Sequence, residues 1–263
     1  MPGQIILALS GSPNPKSFTH RVLETFLEPV KDSAEINLFV PREMEIGPCL
    51  GCFHCWRKKT SGQCVQKDDF EQIIEAYKVC DTIILAAPLY IFGFPATLKN
   101  VLDRFFITLE PDQLPTGDGK GTRHPIRWHR ERKALLISTC GFPEPGNFEL
   151  LQEHFRTICN HTRWEQAGEV LLPAAGAFNG TPLAESKTGQ IRAAGREFLE
   201  TGLVSGETRA KIAEAPFTHE QYRKIATWNF KGGLMNKAKT IALMTKIMGR
   251  AKIMSKQETD EKE

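Results

Sequence analysis

Cys49, Cys52, Cys55 and Cys64 crowd four of the chain's seven cysteines into one short stretch. The Cys-x2-Cys-x2-Cys run puts three thiolates on a compact turn, a spacing that iron–sulfur clusters use. Cys64 follows after eight more residues, across a flexible loop at Gly62, and could close a [4Fe–4S] ligand set. Zinc also takes four thiolates, though paired Cys-x2-Cys knuckles are its commoner arrangement. A metal-free, partly buried cysteine loop at a subunit interface is the third reading, and spacing alone leaves all three open. Cys80, Cys140 and Cys159 are scattered in apolar contexts and read as small core residues. Clustered cysteines in a reducing compartment speak for metal or redox chemistry rather than disulfides.

A second chemistry is written in Ser10-Gly11-Ser12-Pro13-Asn14-Pro15-Lys16-Ser17-Phe18-Thr19. This loop offers hydroxyls from Ser10, Ser12, Ser17 and Thr19 and the Asn14 amide, and it opens onto a helical pattern. Backbone N–H groups and the dipole at a helix N-terminus make an anion site. The loop has neither the Gly-Lys-Ser/Thr ending of a triphosphate loop nor a Gly-x-Gly-x-x-Gly, so it suits a monophosphate. Two further loops, Pro88-Leu89-Tyr90-Ile91-Phe92-Gly93 and Thr139-Cys140-Gly141-Phe142, supply aromatic side chains and free backbone amides. Aromatics can sandwich a planar ring, and Gly93 permits close backbone approach. One phosphate site with two loops fit for a flat heterocycle points to flavin mononucleotide (FMN).

Those loops matter only if secondary structure gathers them. Short continuous apolar runs at Ile5–Leu9, Ile36–Val40, Thr82–Ala87, Ala134–Ser138 and about Glu169–Leu172 read as strands, most of them buried on both faces. Helical patterns lie between them: Val22, Leu23, Phe26 and Leu27; Phe70, Ile73, Ile74 and Tyr77 after an expected cap at Asp68-Asp69; Leu98 to Phe106 after Pro95; and Phe148 to Cys159. Strands alternating with helices imply right-handed crossovers and a doubly wound α/β domain, with five parallel strands and helices on both faces. All three loops then fall at the carboxyl ends of strands, where open parallel sheets bind ligands. The domain is expected to run from residue 1 to about 203, with a polar insertion at 111–132. Residues 204–263 form a helical C-terminal extension, with helices at Phe217–Phe230 and Leu234–Met254 and a polar tail.

Composition narrows the partners. The 263 residues are 41% hydrophobic and 25% charged, ample for one sizeable core. A net charge of +3 does not make nucleic acid the default partner. No apolar run approaches the roughly 20 residues that span a bilayer. Ile5–Leu9 is too short for a signal-peptide core and has no basic segment before it. A cytoplasmic protein without a transmembrane segment is expected.

Taken in order, Ser10-Gly11-Ser12-Pro13…Ser17-Phe18-Thr19, Cys49-x-Gly51-Cys52-x-x-Cys55…Cys64-x-x-x-Asp68-Asp69, Ala87-Pro88-Leu89-Tyr90 and Asp103-Arg104 resemble the flavodoxin-like NADPH-dependent FMN reductases. The resemblance is strongest to the branch that includes the iron–sulfur flavoproteins, and it covers about residues 4–175. It implies a flavodoxin-like fold, non-covalent FMN and a homodimer or homotetramer with the flavin near a subunit interface. By that match Ser10, Ser12, Asn14, Ser17, Phe18 and Thr19 hold the phosphate and ribityl end. Pro88, Leu89, Tyr90, Ile91, Phe92 and Gly93, with Thr139, Cys140 and Gly141, line the isoalloxazine. The family's loop often carries a basic residue where this chain has Asn14, which leaves Lys16 to supply the charge.

The expected activity is transfer of hydride from NAD(P)H to FMN, then of electrons to a quinone, flavin or other small acceptor. The alternative is an iron–sulfur electron carrier serving a redox protein partner. Hydride transfer to a flavin requires no side-chain acid, so no catalytic residue is assigned beyond Tyr90 as a contact. The basic insertion, with Lys120, Arg123, Arg127, Arg130, Arg132 and Lys133, reads as a solvated or subunit-clasping arm, or as a site for the phosphates of NADPH. His20, His54 and His161 have no evident carboxylate partner in the sequence.

Overall fold

The computed structural model describes residues 3–230 apart from 118, 179–182 and 216. The helix expected at Leu234–Met254 and the polar tail lie outside the described residues. Among the described residues seven strands follow in order: β1 (Gln4–Ser10), β2 (Ala34–Phe39), β3 (Thr82–Pro88), β4 (Leu114–Pro115), β5 (Thr122–Arg123), β6 (Arg132–Thr139) and β7 (Trp164–Leu172). The helices are α1 (Phe18–Leu27), α2 (Phe70–Val79), α3 (Ala96–Arg104), α4 (Glu149–Thr162), α5 (Ala175–Phe178), α6 (Leu183–Thr201), α7 (Gly206–Ala213) and α8 (His219–Phe230).

Five strands form one parallel sheet in the order β2-β1-β3-β6-β7. The chain builds outward from β1 to β2, then crosses to β3 on the other side. This flavodoxin-like order opens a crevice at the carboxyl ends of β1 and β3. The apolar runs behave as patterned: Ile6–Leu9, Ile83–Ala87 and Ala134–Ile137 are sealed on both faces. One face packs on α2, α3 and α4 through Phe70, Ile73, Tyr77, Leu98, Val101 and Phe155. The other packs on α1, α6 and α7 through Leu23, Phe26, Ile191, Phe198 and Ile212. β4 and β5 make a small antiparallel ribbon inside the insertion.

Three local readings are corrected. β7 begins at Trp164, five residues before the expected start, because its first half carries exposed Glu165 and Gln166 and hides the apolar signal. Gly168 in that half has φ +122°, and a Cβ there would meet the Val204 carbonyl at 2.8 Å. Asp69 occupies the N-cap position of α2, yet its side chain makes no capping bond. Its carboxylate accepts from Glu45 N–H at 2.8 Å instead. The α3 helix stops at Arg104, and Phe105–Thr108 form a 3-10 turn. That turn carries Phe106 out of the core to stack on Trp56 at 4.3 Å.

Candidate functional site

The three predicted loops meet at the carboxyl edge of the sheet. Thr19 Oγ1 lies 2.6 Å from Thr139 Oγ1, joining the first loop to the end of β6 across 120 residues of sequence. Leu89 N–H donates to the Thr139 carbonyl at 2.8 Å, joining the second loop to the third. Thr139 is therefore the common post of the site.

In the first loop Ser17 caps α1: its hydroxyl accepts from His20 N–H at 3.2 Å. The cap leaves the N–H groups of Phe18 and Thr19, which have no acceptor earlier in the helix, as first-turn donors. Ser12 Oγ accepts from Asn14 N–H at 3.3 Å, and Asn14 Oδ1 accepts from Lys16 N–H at 2.9 Å, which shapes the bend. Ser10, Ser12, Ser17 and Thr19 are buried, whereas Asn14 and Lys16 are exposed. Gly11 is required here, because a Cβ would stand 2.5 Å from Leu98 Cβ on α3. Thr97, also on α3, donates its hydroxyl to the Gly11 carbonyl. The sequence reading missed the partners of His20. Its Nδ1 lies 2.7 Å from Ser10 Oγ, and its Nε2 lies 3.5 Å from the Glu24 carboxylate one turn along.

In the second loop Tyr90 and Gly93 exchange two backbone hydrogen bonds, at 3.1 and 3.0 Å. The residues between them, Ile91 and Phe92, have φ of +45° and +61°. A turn with two positive φ values is normally filled by Asn-Gly. A β-branched residue there is strained, and strain of this kind collects at functional sites. Ile91 is 94% exposed, and Tyr90 and Phe92 are about half exposed. Phe94 turns inward and meets the His154 ring edge-on at 5.3 Å.

The third loop is pinned from both sides. Cys140 N–H donates to the Leu172 carbonyl at 3.0 Å, and Ala175 N–H donates to the Cys140 carbonyl at 2.8 Å. Burial pushes the Cys140 thiol up, the opposite of what an activated nucleophile needs. A contact that the sequence did not reveal comes from α8, where the Tyr222 hydroxyl donates to the Gly141 carbonyl. Its aromatic spacing was visible as a helix, but nothing in it told which loop the helix covers.

The four clustered cysteines border a single small cavity of about 30 Å³, together with Phe53, Arg104, Phe106 and Ile107. Gly51 and Phe53 take positive φ to make the tight turns between thiols. Burial, with the neighbouring Cys64, Cys49 and Cys52, pushes the Cys55 thiol up. Among the described residues no three His, Cys, Asp or Glu side chains converge closely enough to hold a metal ion. The insertion braces this segment. The His124 ring lies 4.8 Å from Trp56, and Arg127 donates to Ser61 and, at 3.1 Å, to the Ile107 carbonyl. Arg130 pairs with Asp81, and Arg132 is buried against the Tyr77 and Trp128 carbonyls. These three arginines hold the insertion to its own domain, which accords with an arm packed on the domain rather than one free in solvent.

Comparison with known proteins agrees with the fold. The fold is similar to an FMN-dependent NADH-azoreductase of Bacillus anthracis in complex with FMN, with a TM-score of 0.57 at 16% identity over 76% of this chain and 100% of that one. In sequence the chain is 33% identical over 100 residues to an iron-sulfur flavoprotein of Methanocaldococcus jannaschii, which is 38% of this chain and 50% of that one. It is 34% identical over 101 residues to an iron-sulfur flavoprotein of Methanosarcina thermophila, 38% of this chain and 51% of that one. The chain thus spans about half the length of the curated relatives it matches. With a family model matching residues 5–163, this chain belongs to the NADPH-dependent FMN reductase family.

Proposed function

We propose that the protein is an FMN-dependent oxidoreductase that takes hydride from NAD(P)H and reduces a small acceptor such as a quinone or flavin. The observation that carries the reading is the junction at Thr139, which brings the hydroxyl-rich loop and the aromatic loop to one crevice. The donor set fits FMN. The first-turn N–H groups of α1 and the Ser10, Ser12 and Thr19 hydroxyls suit its phosphate. Buried Ser138 Oγ, without a hydrogen-bond partner among the described residues, marks unused polar capacity just below the crevice. Lys16 at the exposed rim supplies positive charge.

Bound FMN supplies the two-electron chemistry. The chain's own residues bind and orient. Thr139 fixes the separation of the loops, and Gly141 offers backbone at close range. Tyr90 and Phe92, each about half exposed, offer flat apolar surface to a ring. For a quinone acceptor the net reaction is NAD(P)H plus a proton plus quinone, giving NAD(P)+ and hydroquinone, with the second proton drawn from solvent. The exposed Tyr90-Ile91-Phe92 turn supports a homo-oligomer in which a second copy covers this edge.

One observation favours a further redox group. Four thiols border one cavity, and the buried Arg104 donates to Cys64 Sγ at 3.2 Å. A [4Fe–4S] cluster gives each thiolate its own iron, so it does not require the sulfurs to converge on one point as zinc does. Cys49, Cys52, Cys55 and Cys64 would hold it, and the protein would then pass single electrons to a redox partner.

The test is an absorption spectrum of anaerobically purified protein with iron and sulfide assayed on the same sample, followed by turnover with NADH and NADPH. Flavin bands with rapid NAD(P)H oxidation support the reductase. About four irons per chain with slow turnover support the carrier. Colourless protein that binds no added FMN overturns both.

A further inference from the structure

Helix α8 is not idle surface. It is fastened to the third loop at two points: the Tyr222 hydroxyl donates to the Gly141 carbonyl, and His219 Nδ1 lies 2.9 Å from Glu144 Oε1. Beneath it Phe217 and Ile225 bury against Ala174 and Ala177, and the Phe217 ring stacks on Tyr222 at 5.7 Å. The helix therefore has a core of its own and a fixed place.

Between this helix and the loop lies a cleft of about 770 Å³. That is the size of a site for a whole small molecule. One wall is the Phe142–Asn147 segment, with the Phe142 ring 60% exposed. The other is one face of α8, on which Tyr222, Arg223, Ala226 and Thr227 recur at helical spacing. The lining is mostly apolar and aromatic, with two charged groups. Glu144 is taken by His219. Glu220, three residues before Arg223 on the helix, is taken by Lys224 at 2.6 Å. Among the described residues Arg223 forms no ion pair within 4 Å, and although its charge is felt by Glu220 beside it, its guanidinium lines the cleft next to flat apolar walls. Guanidinium forks match carboxylate, sulfonate and phosphate groups.

We propose that this cleft receives the electron acceptor, a flat aromatic molecule carrying one anionic group, and that the chain's own C-terminal helix forms its outer wall. The inference rests on the reductase reading, because the cleft begins at Phe142, one residue beyond Gly141, where the flavin-lining loop ends. Phe142 and Tyr222 hold the ring system, and Arg223 selects the acidic substituent.

The test compares 1,2-naphthoquinone with 1,2-naphthoquinone-4-sulfonate as acceptors for the full-length FMN-loaded protein at saturating NADPH, with NADPH varied in a separate series. In Arg223→Gln the ratio of KM for the sulfonate to KM for the uncharged quinone should rise about fivefold, the upper range for an exposed ion pair. Arg223→Lys should recover part of that discrimination. Ala226→Trp, which fills the cleft from α8, should raise KM for both quinones while bound FMN per chain stays constant. An unchanged ratio in Arg223→Gln, or unchanged KM values in Ala226→Trp, overturns the proposal. A selective rise in KM for NADPH assigns the cleft to the electron donor and overturns it equally. Calorimetric titration with the sulfonate covers the case in which no turnover is found. Weaker binding to Arg223→Gln than to the parent then sustains the cleft while the reductase reading falls, and equal binding or none overturns both.

Discussion

Arg104 Nη2 donates to Cys64 Sγ at 3.2 Å while Nη1 of the same side chain pairs with Asp68 Oδ2 at 2.5 Å. The guanidinium also lies over the Phe70 ring, 4.2 Å from its centroid. One buried cation at the end of α3 thus fixes the start of α2 and the last clustered cysteine together. Asp68 accepts in addition from Gly47 N–H at 3.0 Å, which anchors the backbone just before Cys49.

Removing that cation should be costly. Arg104→Met leaves the mostly buried Asp68 carboxylate without its counter-charge. We expect a loss of about 3 kcal/mol, or a fall of about 6–12 °C in Tm for a chain of this size. Thermal denaturation followed by circular dichroism reads it. Adding Asp68→Asn to Arg104→Met should recover part of the loss, and strictly additive losses would count against coupling between the two.

The same pair makes stability depend on acid. Burial alone would raise the Asp68 pKa, but the hydrogen bonds from Arg104 and Gly47 and the Arg104 charge outweigh it and hold the carboxyl below its ordinary 3.8. A group depressed in the folded state contributes stability above its unfolded pKa and loses it as pH falls through the folded value. Urea midpoints measured between pH 6 and pH 2.5 should fall less steeply below about pH 4 for Asp68→Asn than for the parent chain. Parallel curves would remove Asp68 from the account.

The seven thiols should separate by reactivity in metal-free protein near neutral pH. Cys49 and Cys52 are exposed and should react first with a disulfide reagent. Cys55, its thiol pushed up by burial, should lag. Cys80, Cys140 and Cys159 should stay unreactive until denaturant is added, Cys159 most of all because burial pushes it up to about 12. Mass spectrometry of the partly modified protein assigns each site, and early labelling of Cys159 would contradict the packing described above.

Ile91→Gly separates strain from association. Relieving the positive φ is worth roughly 1–2 kcal/mol, against the roughly 0.5–1 kcal/mol that glycine's extra freedom costs. The isolated chain should therefore gain about 0.5–1 kcal/mol in stability. If a second copy covers this turn, the same change should promote dissociation on dilution, measured by sedimentation velocity. A stable chain whose oligomer is undisturbed would place the interface elsewhere.

What the sequence disclosed follows from how each signal is encoded. Ile83–Ala87 announces a central strand because both faces are buried, so every residue is apolar. Phe70, Ile73, Ile74 and Tyr77 announce α2 by spacing. The three strand-end loops were locatable because strand ends are fixed once the strands are. β7 was found late because half of it lies at the sheet edge with polar side chains outward. Asp68 does accept from the first N–H of α2, that of Phe70, at 3.3 Å, but local reading cannot see Arg104 reaching its other oxygen or Glu45 taking Asp69. The Ser10–His20 and Tyr222–Gly141 contacts belong to the same class. They are set by tertiary packing, which leaves no periodic trace in the chain.

One nine-residue helix carries both candidate redox sites. At its first turn Thr97 and Leu98 close on Gly11 and shape the first loop. At its last residue Arg104 grips Cys64. With a rise of 1.5 Å per residue, the two grips are only about 10 Å apart along a rigid rod. Any coupling between the two ends would have to run through this short rod. Linkage is reciprocal, so by whatever factor a filled cysteine pocket tightens flavin binding, bound flavin must tighten the occupant of the cysteine pocket by that same factor.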